Sequence, residues 1–208
     1  MTSAGSEFLP TELNVSRETN ERLADLADLL TKWNSTINLV SKSTRGLIWT
    51  RHILDSIQIF DHGATAGIWA DLGSGGGFPG LVVAILAKEK APHMQVVLVE
   101  SDQRKAAFLR AATQALGLNA QVLSNRIESI APLNADIVSA RALAALPQLC
   151  TFAAQHLSPG GAAIFLKGKS VEFEIATARK DWKFSLESHA SITDPAAVIL
   201  VLKGLEHV

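Results

Sequence analysis

The stretch "ADLGSGGGFPGLVVAIL" (residues 70–86) places five glycines in the eight positions 73–80, directly after a short apolar run. A strand that ends in bare backbone and then enters a helix is the first crossover of a parallel α/β sheet, where ligands bind at the carboxyl ends of the strands. Downstream the same rhythm repeats. Strands are predicted at 68–72, 96–100, 121–123, 137–139 and 162–166, with helical stretches such as 103–116 between them. Strand, helix, strand in succession implies right-handed crossovers and a sheet covered on both faces. The end of the chain breaks the pattern: 184–192 and 197–202 are extended runs joined by the turn-like "TDP" and no helix, so they pair antiparallel at the edge.

Upstream of the loop the chain reads as helix. Leu23, Leu26, Leu30, Trp33 and Ile37 recur at steps of three and four, an apolar stripe over residues 16–37 with Ser16 as N-cap and Glu18 in the first turn. Trp33 belongs to the core side, and Asn34 and Asn38 are read as capping or packing residues. A second helix covers 50–60. The expectation is one domain over 1–208, with a helical N-terminal extension (1–62) before a cofactor-binding α/β core (63–208).

Composition narrows the function classes. With 48% hydrophobic and 19% charged residues over 208 positions, the chain has the makeup of an ordinary globular domain. A formal charge of −1 means that an anionic partner must be met by a local basic cluster. Six per cent aromatics and no tyrosine argue against stacking platforms for single strands. The lone Cys150 can form no internal disulfide and suits a reducing cytosol, as a small buried residue. "MTSAGSEFLP" lacks the marks of a signal peptide, and the longest apolar run, 81–87, is too short to span a membrane, so a cytoplasmic protein is expected. The six histidines show no ligand spacing, so no metal is expected.

Three ligands compete for the glycine loop. Gly75, Gly77 and Gly80 satisfy the dinucleotide pattern G-x-G-x-x-G, with Glu100 twenty residues on, but Pro79 falls within the turn. "FLKGKS" imitates the tail of a phosphate loop, yet Ala163 stands where glycine is required. The third reading starts from Asp71, an acid at a strand end followed by Gly73, Gly75 and Gly77. It suits S-adenosyl-L-methionine: backbone amides and the opening of the next helix approach the carboxylate, and Asp71 answers the ammonium directly or through water. Glu100 accepts from the ribose hydroxyls, Ile127 walls the adenine, and Glu128 lies near its amino edge.

Seven segments, "KWNSTINLVS" (32–41), "RHILDS" (51–56), "DLGSGGGFPG" (71–80), "RKAAFLR" (104–110), "NRIE" (125–128), "VSARALA" (138–144) and "LKG" (166–168), resemble in order and spacing the bacterial small-subunit ribosomal RNA guanine-N7 methyltransferases, the glucose-inhibited division protein B family. The loop departs from some relatives in having Gly76 where a proline can stand. The resemblance implies a class I S-adenosylmethionine-dependent, Rossmann-like three-layer sandwich with seven strands, the last antiparallel, and a guanine in 16S ribosomal RNA or the small subunit as substrate. Carried over by motif, cofactor contacts fall on Gly73, Phe78, Ile127, Glu128 and Arg141. Guanine N7 has a lone pair and no proton, so no general base is needed and no catalytic residue is assigned. Arg51, His52, Arg141 and Lys167 could receive RNA phosphates, or a basic residue among them could pair with a neighbour such as Asp55. The chain is expected to act as a monomer. The rival functions are a non-catalytic RNA-binding assembly factor and a dinucleotide-dependent oxidoreductase.

Overall fold

Along β1 (Ile68–Leu72), Trp69 joins one apolar cluster and Ala70 the other, and the alternation continues through β2 (Gln95–Val99), where Val96 and Leu98 face one side and Val97 and Val99 the other. A sheet apolar on both faces requires helices on both. The computed structural model, which describes residues 15–41, 46–63 and 67–208, supplies them. α1 (Arg17–Asn34), α3 (Gly80–Lys90) and α4 (Gln103–Ala115) cover one face, while α5 (Leu146–His156) and α6 (Val171–Ala178) cover the other. With β3 (Ala120–Leu123), β4 (Ala135–Arg141), β5 (Leu157–Lys167), β6 (Trp182–Ala190) and β7 (Val198–His207), the strand order is β3-β2-β1-β4-β5-β7-β6. The first five strands run parallel. β7 is antiparallel to both of its neighbours, inserted between β5 and β6. The predicted hairpin of the last two runs is therefore present, with β6 rather than β7 at the edge.

The apolar run 81–87 is a core helix, α3: every residue from Gly80 to Ala87 is buried because α1 lies over it and the sheet beneath. Leu23, Leu26 and Leu30 of the predicted stripe are wholly buried in that cluster, and Trp33 packs on it edge-to-face with Phe108 at 5.8 Å. Ser16 caps α1 as expected, accepting from the Thr19 amide at 3.2 Å.

Two boundaries depart from the sequence expectation. α1 ends at Asn34 rather than at 37, because the Asn34 carboxamide oxygen accepts from the amides of Leu39 (2.8 Å) and Val40 (3.1 Å) and turns the chain toward the glycine loop. The helix expected at 50–60 is a π-helical segment, Ile48–Leu54, that runs into a short α2 (Asp55–Ile57). His52, Ile53 and Leu54 of this segment are all buried. The segment "MTSAGSEFLP" lies outside the described residues. Among the described residues no helix is long and apolar enough to cross a membrane.

Candidate active site

At the carboxyl ends of β1, β2 and β4 lies a cavity of about 600 Å³. Its floor is the loop after β1, with Gly73, Ser74, Gly75, Gly76 and Phe78. One wall is Val99, Glu100 and Ser101 at the end of β2, another Asn125 to Glu128 after β3, and a third Arg141 to Ala144 at the end of β4. Residues from the turn after α1 (Leu39 to Ser41), His52 of the π-helical segment, Lys105 of α4, and Gln148 and Phe152 of α5 complete it.

Of the residues picked from the sequence, Gly73, Gly75, Phe78, Glu100, Ile127, Glu128, Arg141 and His52 all line this cavity. Gly75 has φ +54, and a Cβ built there would meet nothing closer than the Gly73 carbonyl at 3.8 Å, so only the lack of a side chain keeps this side open. Gly76 instead abuts the Leu39 carbonyl, 2.9 Å from where its Cβ would be, which docks the turn after α1 onto the loop. Glu100, itself buried, accepts from the Gly75 amide (2.8 Å) and the Asp102 amide (2.7 Å), one on each carboxylate oxygen. Each oxygen keeps a second lone pair. Ile127 is held by His156 of α5, whose Nε2 lies 3.1 Å from the Ile127 carbonyl.

Four expected site residues stand elsewhere. Asp71 is completely buried beneath the loop and outside the cavity wall. Its Oδ2 accepts from the Gly80 amide (3.2 Å) and its Oδ1 from the Ser139 hydroxyl (2.8 Å), itself bonded to the Trp69 indole. Burial raises its pKa to about 6 against the pull of these donors. Its oxygens fix the loop from beneath, and it forms no part of the cavity wall. Gly77 is buried against Leu81 and serves the turn, with φ +90. Arg51 and Lys167 border a neighbouring cavity and are ion-paired, Arg51 with Asp194 at 2.7 Å and Lys167 with Glu174 at 2.6 Å. Lys167 also donates to the Ala144 carbonyl at 3.0 Å, so it braces the wall after β4.

The same accounting removes the dinucleotide reading. That ligand needs the amide at the start of the helix for its pyrophosphate, and the Gly80 amide is already given to Asp71. The donors expected to meet a carboxylate are likewise reduced: the amides of Ser74, Gly77 and Phe78 bond within the loop or to β2.

Arg141 is the hub of the mouth. Nη1 donates to the Arg51 carbonyl (2.8 Å) and to Asp55 Oδ2 (3.1 Å), Nη2 meets His52 Nδ1 at 2.7 Å, and the guanidinium lies over the Phe78 ring at 5.4 Å. His52 stacks on Phe78 with centroids 5.0 Å apart. Burial, then the charges of Arg141 and Arg51, pull the His52 pKa down to about 4, so it is neutral at physiological pH. The Asp55 pairing was legible in the sequence. Leu39 to Ser41 and Lys105 lie in two of the segments that carry the family resemblance, though no role was assigned to them, whereas Gln148 and Phe152 carried no motif because their contribution depends on how α5 packs.

A seven-stranded sheet with an antiparallel β7 and a glycine-floored cavity over β1, β2 and β4 defines a class I, Rossmann-like methyltransferase. The family model described as rRNA small subunit methyltransferase G (GidB) matches residues 19–198. The chain belongs to this family. It is 54% identical over 203 residues to ribosomal RNA small subunit methyltransferase G of Cereibacter sphaeroides, covering 97% of this chain and 98% of that protein. To the protein of the same name from Ruegeria pomeroyi it is 54% identical over 196 residues, covering 94% and 96%. Among solved structures, a SAM dependent methyltransferase from Aquifex aeolicus shares the fold, with a TM-score of 0.57 over 84% of this chain and 97% of that one at 14% identity.

Proposed function

We propose that the protein transfers the methyl group of S-adenosylmethionine to N7 of a guanine in 16S ribosomal RNA, acting as a single-domain monomer in the cytoplasm on the RNA or the assembled small subunit. The observation that carries this reading is the joint lining of one cavity by a side-chain-free Gly75, the Glu100 carboxylate and the Ile127 wall. These fit the three parts of the donor. Glu100 has lone pairs for two ribose hydroxyls, Ile127 with Glu128 and its backbone suits an adenine face and edge, and the open side at Gly75 admits the methionine tail. When bound, the donor supplies an electrophilic methyl group.

What remains for the chain is alignment. Guanine N7 carries an in-plane lone pair and no proton, so no side chain has to accept one. Holding nucleophile and methyl in line and in contact is worth about 7 to 11 kcal/mol in favourable cases. Phe78, His52 and Arg141 form a packed block at the cavity mouth that can exclude water and set this geometry. Arg141 is paired with Asp55, which limits the repulsion a cation would exert on a purine gaining positive charge.

The test is a nuclease digest of 16S rRNA from cells lacking the gene, analysed by mass. One 7-methylguanosine should be missing, restored by the wild-type gene and not by Gly75→Asp. An unchanged digest contradicts the reading.

A further inference from the structure

α5 meets the cofactor cavity along one face. Gln148 and Phe152, four residues apart, line it, and one turn further on Gln155 and His156 reach the segment after β3 that forms the wall assigned to adenine. Gln155 Nε2 donates to the Ile130 carbonyl at 3.2 Å, and His156 Nε2 lies 3.1 Å from the Ile127 carbonyl, so the helix end grips the 3-10 turn Ile127–Ser129 at its first residue and just past its last. His156 is wholly buried, and burial lowers its pKa, so the ring is neutral. A carbonyl oxygen can only accept, which puts the ring proton on Nε2 and leaves Nδ1 a bare acceptor, buried and without a partner among the described residues. The helix leading to it is otherwise core, with Leu149, Phe152 and Ala153 all buried. An apolar side chain at 156 would be free of the desolvation cost at Nδ1, so what the histidine adds is its bond to Ile127.

We infer that His156 is a positioning residue for the adenine of the donor: by holding the Ile127 carbonyl, while Gln155 holds that of Ile130, it fixes the base-binding wall of the cofactor cavity and sets its preference for adenine. The inference rests on the donor reading above. The Ile127 carbonyl belongs to a planar peptide unit that also carries the α-carbons of Ile127 and Glu128, so fixing the oxygen fixes the plane from which both side chains depart. Both residues line the cavity. The turn itself is held locally through the Arg126 carbonyl, which accepts from the Ser129 amide (3.1 Å) and the Ser129 hydroxyl (2.8 Å), and it has no side-chain cap. The rest of its geometry comes from α5. Adenine presents an amino donor where hypoxanthine presents a carbonyl acceptor, so a Glu128 carboxylate held at that edge favours the first and repels the second. A loosened wall loses this discrimination before it loses its apolar contact, because hydrogen bonds are directional and apolar burial is not. His156 reaches the donor only through Ile127, so its effect falls on binding and not on the transfer step.

Three variants test the role. His156→Phe keeps a buried ring and deletes the donor, and His156→Gln carries an amide N–H to the Nε2 position. Gln155→Ala releases the Ile130 carbonyl from a half-buried position and keeps the test decisive should His156→Phe fail to fold. Calorimetry measures affinity for S-adenosylhomocysteine and for S-inosylhomocysteine, which differs only in carrying hypoxanthine in place of adenine, and kcat and the donor KM are measured on small-subunit RNA. The wild type should prefer the adenosyl ligand by at least about 10-fold. His156→Phe should bind that ligand about 10-fold more weakly and the inosyl ligand within about threefold of wild type, and should raise the donor KM with kcat unchanged. Gln155→Ala should shift the same way by a smaller factor, and His156→Gln should restore most of the preference. Equal loss on both ligands overturns the inference, since His156 would then serve only the fold. An adenosyl affinity that matches wild type in both His156→Phe and Gln155→Ala overturns it too. A wild type that binds the two ligands alike overturns it while leaving the donor reading in place. A wild type that binds neither contradicts the donor reading itself, and this inference falls with it.

Discussion

Gly75→Asp separates folding from binding more sharply than any other change in the loop. The φ of +54 at this position costs an L-residue about 1 to 2 kcal/mol, less for aspartate, which tolerates left-handed backbone. Beyond that the backbone meets no steric clash, because the nearest atom to a Cβ there is the Gly73 carbonyl at 3.8 Å. The side chain therefore projects into the cavity, close to Glu100, whose Oε2 lies 2.8 Å from the Gly75 amide. The introduced carboxylate and that of an entering amino-acid tail, about 5 Å apart, repel by about 3 kcal/mol at an effective dielectric constant of 20. A ligand entering with a carboxylate of its own meets that charge and a space already filled. A loss of 3 kcal/mol is about 100-fold in affinity, and steric exclusion adds to it. Calorimetry with S-adenosylhomocysteine should thus find binding weakened at least about 100-fold, while the cooperative melt persists a few degrees lower. A folded variant that binds within about threefold of wild type refutes the reasoning. Gly80→Ala is the contrast: its Cβ would collide with Leu98 and stand 2.6 Å from Asp71 Oδ2, so the fold itself should fail.

Other perturbations test other parts of the account. Asp71 holds its proton more tightly folded (about 6) than unfolded (3.8), so its contribution to stability is present at low pH and lost as the pH rises through about 6. The stability gap between wild type and Asp71→Asn should therefore narrow between pH 4 and pH 7, by at most about 3 kcal/mol, and urea titrations that find a constant gap count against the burial argument. His52 has the opposite sign: its pKa falls from 6.5 to about 4 on folding, so wild type loses stability through this group as the pH drops below 6.5, and His52→Gln should lose less over that interval. Lys167→Ala should lower S-adenosylhomocysteine affinity by loosening the Ala144 carbonyl, and leave the salt dependence of RNA binding unchanged; a shallower salt slope would restore Lys167 as a phosphate contact.

The sheet was legible because its first strands are short apolar runs separated by helical stretches, and the cofactor side of the cavity because Gly75, Glu100 and Ile127 follow the ends of β1, β2 and β3. Asp71 stands outside the cavity for a physical reason. An acid at a strand end can serve a ligand or the amide of the helix that follows, and only the burial of its two oxygens against Gly80 and Ser139 decides between them. Lys167 and Arg51 stand outside it as well, and the partners that neutralise them, Glu174 and Asp194, come from α6 and the β6–β7 turn and are near only in space. The His52–Arg141 contact joins residues 89 apart in sequence.

The central claim is that Glu100, the bare face of Gly75 and the Ile127 wall together hold an adenosyl donor. A crystal structure with S-adenosylhomocysteine tests it most directly. The ribose hydroxyls should lie within hydrogen-bonding distance of the Glu100 carboxylate, with adenine against Ile127 and the amino-acid tail over Gly75. A ligand bound elsewhere on the sheet, or a cavity that stays empty at saturating concentration, would contradict it.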